Sequence, residues 1–206
     1  MPVPPNIWGD RRRRRIGLLG GSFNPAHAGH RHVALSALRR LALDEVWWLV
    51  SPQNPLKPMA GMATQADRIA SAEAVARHPR IRVTGIEEVL GTRYTADTLT
   101  MLARRFPRVR FVWLMGADNL QQVPRWDRWL TIFRSVAVAV FDRSPYSYRS
   151  LAGKAARRFA RCRLPDRKAG LLAERMPPAW MFLHLRRHPA SATAIRQRRA
   201  GTKPGR

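Results

Sequence analysis

Two histidines three residues apart, His27 and His30, follow a short glycine-bearing segment, Gly20-Gly21-Ser22-Phe23. Imidazole is a compact donor for phosphate oxygens, and two of them on the first turn of a helix can face the same anion. Transfer of a phosphoryl-type group asks a protein for positioning and charge stabilisation rather than for a nucleophilic side chain. The two glycines permit a tight turn and a close approach of backbone to ligand. A lone histidine at a helix start is usually a cap or a solvated side chain. A pair with a glycine between them, after a glycine-rich loop, points instead to an anion site. The glycines do not spell GxGxxG, and no Walker A Lys-Ser/Thr follows, so hydride-transfer and P-loop readings lose their support.

The elements around this pair decide whether it can work as a site. Ile16–Leu19 reads as a buried strand entering the glycine loop, and Val33, Ala34, Ala37, Leu38 and Leu41 recur at helical spacing over about 28–42. Val46–Val50 is a second buried strand, with a proline-rich loop behind it at Ser51–Pro58. Thr64 with Asp67 starts a helix running to about His78, and Ile81–Thr84 is a strand. Ala96, Leu99, Leu102, Ala103 and Phe106 mark a further helix, and Arg110–Met115 a strong strand closed by Gly116. Asn119–Phe133 reads as a helix broken around Pro124, followed by a strand at Val136–Phe141. Leu151–Ala160 reads as helix, Met181–Leu185 as a last strand and Ser191–Arg199 as a last helix. Such alternation calls for a single doubly wound α/β domain, with a mainly parallel sheet and ligands at the carboxyl ends of its strands. Residues 1–15, with three prolines and the Arg11–Arg15 run, read as a flexible basic arm, 16–199 as the domain and 200–206 as a tail.

His27-Ala28-Gly29-His30 resembles the HxGH motif of the nucleotidyltransferase superfamily, and Ser191-Ala192-Thr193-Ala194-Ile195-Arg196 resembles its second, ISxxxxR-like signature. Two motifs in the right order, about 160 residues apart, are far more specific than either alone. The chain is most similar to the bacterial nicotinate-nucleotide adenylyltransferases. Gly-Gly-Ser-Phe-Asn-Pro-Ala-His-Ala-Gly-His, from Gly20 to His30, is a characteristic form of their first motif. Arg93-Tyr94-Thr95-Ala96-Asp97-Thr98-Leu99 resembles their S/R-Y-T-x-x-T-L segment, and Gly116-Ala117-Asp118-Asn119-Leu120 their G-x-D-x-L segment, with Trp126 following at the usual distance. The resemblance spans about residues 16–199 and implies a Rossmann-like nucleotidyltransferase fold.

The activity it implies is adenylyl transfer from ATP to nicotinate mononucleotide, giving nicotinate adenine dinucleotide and pyrophosphate, a step of NAD biosynthesis. His27 and His30 would then be catalytic. Gly20, Gly21, Ser22, Phe23, Ser191, Thr193 and Arg196 would join them in binding ATP, the Arg fork matching phosphate oxygens. Trp126 could stack on the pyridine ring, or be one of seven tryptophans half-buried in a core. Thr95 opens a helix whose N–H groups could receive the nicotinate carboxylate, or it is an ordinary N-cap. Asp118, past a strand end, could hold ribose hydroxyls or simply cap a helix. Lys57 and Arg143 are phosphate candidates for the mononucleotide. The family's Pro-Pro-His-Lys/Arg-like segment is here Asn54-Pro55-Leu56-Lys57, so position 56 departs from the pattern. Mg²⁺ is expected to ride on ATP, without a dedicated protein site. Many members carry another helix after the second motif, where this sequence reaches Arg206; a homo-oligomer contact there fits the sequence.

Composition sets the outer limits. A net charge of +25 says that the partner is anionic, but only four of the 38 basic residues are lysine, which leaves 34 arginines and suggests compositional bias. They are spread along the chain, without a helix-turn-helix or RNP pattern, so small anionic ligands are favoured over nucleic acid. Cys162 is the single cysteine, which excludes an internal disulfide and multi-cysteine zinc sites. No apolar run approaches the roughly 20 residues of a membrane span, and the default expectation is a cytoplasmic protein. Pantetheine-phosphate adenylyltransferase, whose first motif usually has Thr at the place of His27, stands as the nearest alternative. Lipid-precursor cytidylyltransferases and a basic RNA-binding protein stand behind it.

Overall fold

A computed structural model describes residues 5–9, 11–52, 62–142, 147–185 and 195. Its centre is a seven-stranded, all-parallel sheet. The strands are β1 (Arg14–Gly21), β2 (Glu45–Val50), β3 (Ile81–Thr84), β4 (Val109–Gly116), β5 (Ala137–Asp142), β6 (Arg163–Leu164) and β7 (Trp180–His184). Their spatial order is β3-β2-β1-β4-β5-β7-β6. The chain moves outward from β1 through β2 to β3, then returns to the other side of β1 with β4. That reversal makes the space beyond the carboxyl ends of β1 and β4 the topological switch point, where open α/β sheets bind ligands.

Period-two alternation divides the strand side chains between two buried faces. Val46, Trp48 and Val50, with Val112 and Leu114, face a core closed by α1 (Ala28–Arg40) and α2 (Gln65–Ala76). Ile16, Leu18, Trp47, Leu49, Trp113 and Met115 face the other core. That second core is covered by α3 (Ile86–Val89), α4 (Thr95–Arg105), α5 (Ala117–Gln122) and α6 (Trp129–Ser135), and beside them by α7 (Ser147–Leu151) and α8 (Lys154–Arg158). Burial on both faces explains why the strands read as near-continuous apolar runs.

Several element ends differ from the sequence expectation for identifiable reasons. β1 starts at Arg14, inside the expected arm, because the start of β2 supplies carboxylates. Arg14 pairs with Glu45, and the backbone N–H of Arg15 donates to Asp44 at 2.7 Å. The described part of the arm also packs: Arg105 at the end of α4 donates to the Ile7 carbonyl, and Pro5 is buried. The expected helix over Leu151–Ala160 is two short ones, with Gly153 as the cap of the second. The break around Pro124 is a 3-10 turn, Val123–Arg125. α3, β6 and the 3-10 segment Asp166–Glu174 carried no clear periodicity and were not expected.

A cleft of about 710 Å³ lined by Arg13, Arg15, Asp44, Arg108, Arg110 and Glu174 lies at the amino ends of β1 and β4. It stands at the opposite end of the strands from the histidines. Among the described residues, no helix is long and apolar enough to cross a membrane.

Candidate active site

Gly20, near the end of β1, serves packing more than turning. A Cβ on Gly20 would sit 2.5 Å from the Trp113 ring, so only glycine lets that indole lie across β1. The turn itself falls two residues after β1, at Phe23, whose φ of +46° costs a non-glycine residue about 1–2 kcal/mol. Its ring is buried, stacked on Trp48 at 5.1 Å and tilted against His30 at 4.8 Å.

His27 is the N-cap of α1, and the two histidines cap one another. The His27 Nδ1 accepts from the Gly29 backbone N–H at 3.1 Å, and the His30 Nδ1 accepts from the His27 backbone N–H at 3.2 Å. The rings lie 3.8 Å apart. An Nδ1 that accepts a hydrogen bond carries no proton, so each neutral ring bears its hydrogen on Nε2. The cap reading and the catalytic reading are therefore compatible: backbone contacts consume Nδ1 and fix the tautomer that makes Nε2 a donor. The positive end of the α1 dipole adds to the attraction for an anion. Gly20, Gly21, Ser22 and Phe23 border this point.

Across the switch point, β4 ends in Gly116, which caps α5; Asp118 is the second residue of that helix and is exposed. Its carboxylate is thus not the N-cap.

A second group of candidates gathers around α4. Tyr94 is the N-cap but makes no side-chain cap bond, and half-buried Thr95 is the first helical residue. The start of α4 is held from beneath by a buried network. The Thr98 hydroxyl donates to Glu87 Oε1 at 3.0 Å and lies 2.9 Å from the Thr92 hydroxyl. Burial pushes the Glu87 carboxyl up to about 7, although the Thr98 bond pulls the other way. Trp126 is half-buried on the same core, and Arg128, two residues on, binds Asp97 in the first turn of α4. The Trp126 loop and the Thr95 helix start are thereby tied together.

Lys57, Arg143, Ser191, Thr193 and Arg196 lie outside the described residues. Sequence reasoning passed over Arg68, Glu87 and Arg128. Arg68 sits on α2 outside every motif, and Arg128 is one arginine among many. Glu87 alone carried a signal, as an acid on a short apolar stretch just before the Tyr94-Thr95 segment.

The comparisons with known proteins bear on the family and the fold. The family profile described as Cytidylyltransferase-like matches residues 18–198. A protein of Bradyrhizobium sp., named probable nicotinate-nucleotide adenylyltransferase, is 54% identical over 88% of this chain and 95% of its own. One of the same name from Methylorubrum extorquens is 54% identical over 89% of this chain and 100% of its own. Among solved structures, Plasmodium falciparum nicotinic acid mononucleotide adenylyltransferase complexed with NaAD is similar with a TM-score of 0.65. That match is at 15% identity over 90% of this chain and 83% of that one, and it speaks to the fold.

Proposed function

The chain belongs to the cytidylyltransferase-like family, among its nicotinate-nucleotide adenylyltransferases, and from that premise we infer how its own residues carry the reaction. It is a nucleotidyltransferase that moves the adenylyl group of ATP to nicotinate mononucleotide, giving nicotinate adenine dinucleotide and pyrophosphate, a step of NAD biosynthesis. A phosphate oxygen of the mononucleotide attacks the α-phosphorus of ATP in line, the bond to the β-phosphate oxygen breaks, and pyrophosphate leaves. No covalent enzyme intermediate is needed, so the protein's work is placement and charge stabilisation.

The observation that carries this reading is the reciprocal capping of His27 and His30 at the start of α1, beyond the central strand. Their Nε2–H groups would donate to oxygens on the transferring phosphorus, where charge builds in the transition state. Gly20, Gly21, Ser22 and Phe23 bring backbone close to ATP, and Ser191, Thr193 and Arg196 hold its polyphosphate. Lys57 and Arg143 meet the phosphate of the mononucleotide. Trp126 stacks on its pyridine ring, the N–H groups opening at Thr95 receive its carboxylate, and Asp118 accepts from ribose hydroxyls.

Mg²⁺ would arrive on the ATP phosphates and neutralise part of their charge. The described donors at the β1 exit are imidazoles and backbone N–H groups, which suit phosphate oxygens rather than a hard cation. A cytoplasmic address goes with this reading, since ATP is an intracellular substrate.

The test is pyrophosphate release by the purified protein with ATP and, in turn, nicotinate mononucleotide, nicotinamide mononucleotide and phosphopantetheine. The expected result is turnover with the first far above the others. Preference for phosphopantetheine would overturn the assignment.

A further inference from the structure

Arg68 stands apart from every motif, yet it is only 2% exposed. Among the described residues its hydrogen bonds all go to carbonyl oxygens. Nη1 donates to Ser22 at 2.8 Å and to Ser51 at 2.7 Å, Nη2 to Pro52 at 2.9 Å, and Nε to Ala63 at 3.1 Å. A guanidinium taken out of water is costly unless its donors are met, and here backbone dipoles meet four of the five. Burial pushes its pKa below the ordinary arginine value.

Three of the four carbonyls, those of Ser22, Ser51 and Pro52, come from the segments just past β1 and β2, and the fourth, Ala63, precedes α2. Those segments are also joined directly, by the Ser51 N–H donating to the Gly21 carbonyl at 3.1 Å. A loop that approaches phosphate must turn N–H groups toward the anion and carbonyl oxygens away from it. Arg68 gives three such oxygens a cationic partner behind the loop.

One of the three matters for catalysis. The Ser22 carbonyl belongs to the peptide that precedes Phe23, the residue at φ +46°. Rotation of that peptide would change the φ of Phe23 and swing its ring. That ring packs on both Trp48 and His30, which meet edge to face at 6.0 Å. The path runs from the Arg68 guanidinium through the Ser22–Phe23 peptide and the Phe23 ring to the His30 imidazole.

We propose that Arg68 is a positioning residue for the adenylyl transfer, setting the orientation of His30 by holding the Ser22–Phe23 peptide in its left-handed turn. It never touches a substrate. Its effect on rate rests on the reaction proposed above; its effect on the His30 ring does not.

The experiment compares the full chain with Arg68→Met and Arg68→Lys. It uses far-ultraviolet circular dichroism for folding, steady-state kinetics for turnover, and long-range proton–nitrogen correlation for the tautomer of each histidine ring. Folded Arg68→Met should lose kcat on the order of 10²-fold, the scale of a catalytic group misplaced by about an ångström. KM for nicotinate mononucleotide should hold, and the His30 signal should leave its Nε2–H pattern. Arg68→Lys, which can reach some of the carbonyls, should recover part of both losses. A folded Arg68→Met with wild-type kcat and an unshifted His30 ring would overturn the proposal. If that variant does not fold, Arg68→Lys is combined with Phe23→Leu. One shared path predicts that the double variant is no slower than its worse parent, and independent, additive losses would overturn it. Should the wild type fail to turn over the two substrates, the reaction fails, while the His30 signals in the variants still decide the role of Arg68.

Discussion

Arg128 Nη2 lies 2.6 Å from Asp97 Oδ2, while its Nε lies 2.7 Å from Asp127 Oδ2. The first contact joins the loop bearing Trp126 to the helix start bearing Thr95. Arg128 holds a left-handed backbone, φ +44°, as the N-cap of α6. Arg128→Gln should therefore loosen the two walls proposed for the pyridine ring. We expect a higher KM for nicotinate mononucleotide, an unchanged KM for ATP, and a wild-type protein whose mononucleotide KM rises with salt, since exposed pairs are screened. Equal KM values in mutant and wild type would show that the tie contributes nothing to binding.

Substrate choice should be set at Thr95 and binding strength at Trp126. Backbone N–H donors at the start of α4 reward a carboxylate, whereas an amide NH₂ meets them with another donor. Such a mismatch costs about 1–3 kcal/mol, or roughly 5–150-fold in preference for the acid. Stacking on an indole barely senses the substituent and is worth a similar amount, about 1–3 kcal/mol. Trp126→Ala should thus weaken both mononucleotides while leaving the ratio of their kcat/KM values nearly intact. A collapse of that ratio in the mutant would move discrimination from the helix start to the tryptophan.

His30→Ala should remain folded and lose about 10²–10³ in turnover, the usual effect of removing one preorganised donor. Its Nδ1 also accepts from the His27 N–H, so some stability should be lost too, about 1 kcal/mol for a missing cap. Turnover above about a third of wild type in the folded mutant would be too small a change for a donor to the transferring phosphate.

Two buried carboxyls should give stability opposite pH slopes. Glu87 is raised from about 4.5 to about 7, so the folded state binds its proton more tightly than the unfolded state does. Its contribution is full below about 4.5 and is lost as pH rises through about 7, a change on the order of 3 kcal/mol. At Glu45 burial acts upward, but hydrogen bonds from Arg82 and Trp47 and the charges of Arg82 and Arg14 outweigh it and hold the group low. That contribution is present above the ordinary carboxylate range and is lost in acid. Denaturant titrations of Glu87→Gln should show the neutral-side slope flattened and the acid-side loss retained. An unchanged slope between pH 5 and 7.5 would mean that Glu87 is not the group responsible.

The fold was legible where side chains repeat with a clear period. The runs at β2 and β4 and the face Ala96–Leu99–Leu102 of α4 fall within a residue or two of their expected limits. The histidine pair was legible for a different reason, because its spacing is itself geometry. Arg68 was not, since nothing on a sequence shows that an arginine will be buried against carbonyls from segments 17 and 46 positions away. Gly20 was legible as a glycine but not for its purpose, which depends on Trp113 crossing from β4. Short elements such as α3 and β6 are too brief to show a period, and the packing around them decides their form.

The position of β1 in the sheet has a kinetic side. β2 and β3 follow it through successive helical crossovers, so that half of the sheet can assemble from contacts close in sequence. On its other edge β1 must wait: Ile16 lies opposite Phe111, roughly 95 residues later. A chain leaving the ribosome can form α1 with its histidines while β4 and Asp118 are still unsynthesised. The crevice between β1 and β4 closes only with that long-range pairing. Nucleotide affinity during refolding should accordingly lag behind helix formation, and its appearance times the docking of β4 onto β1.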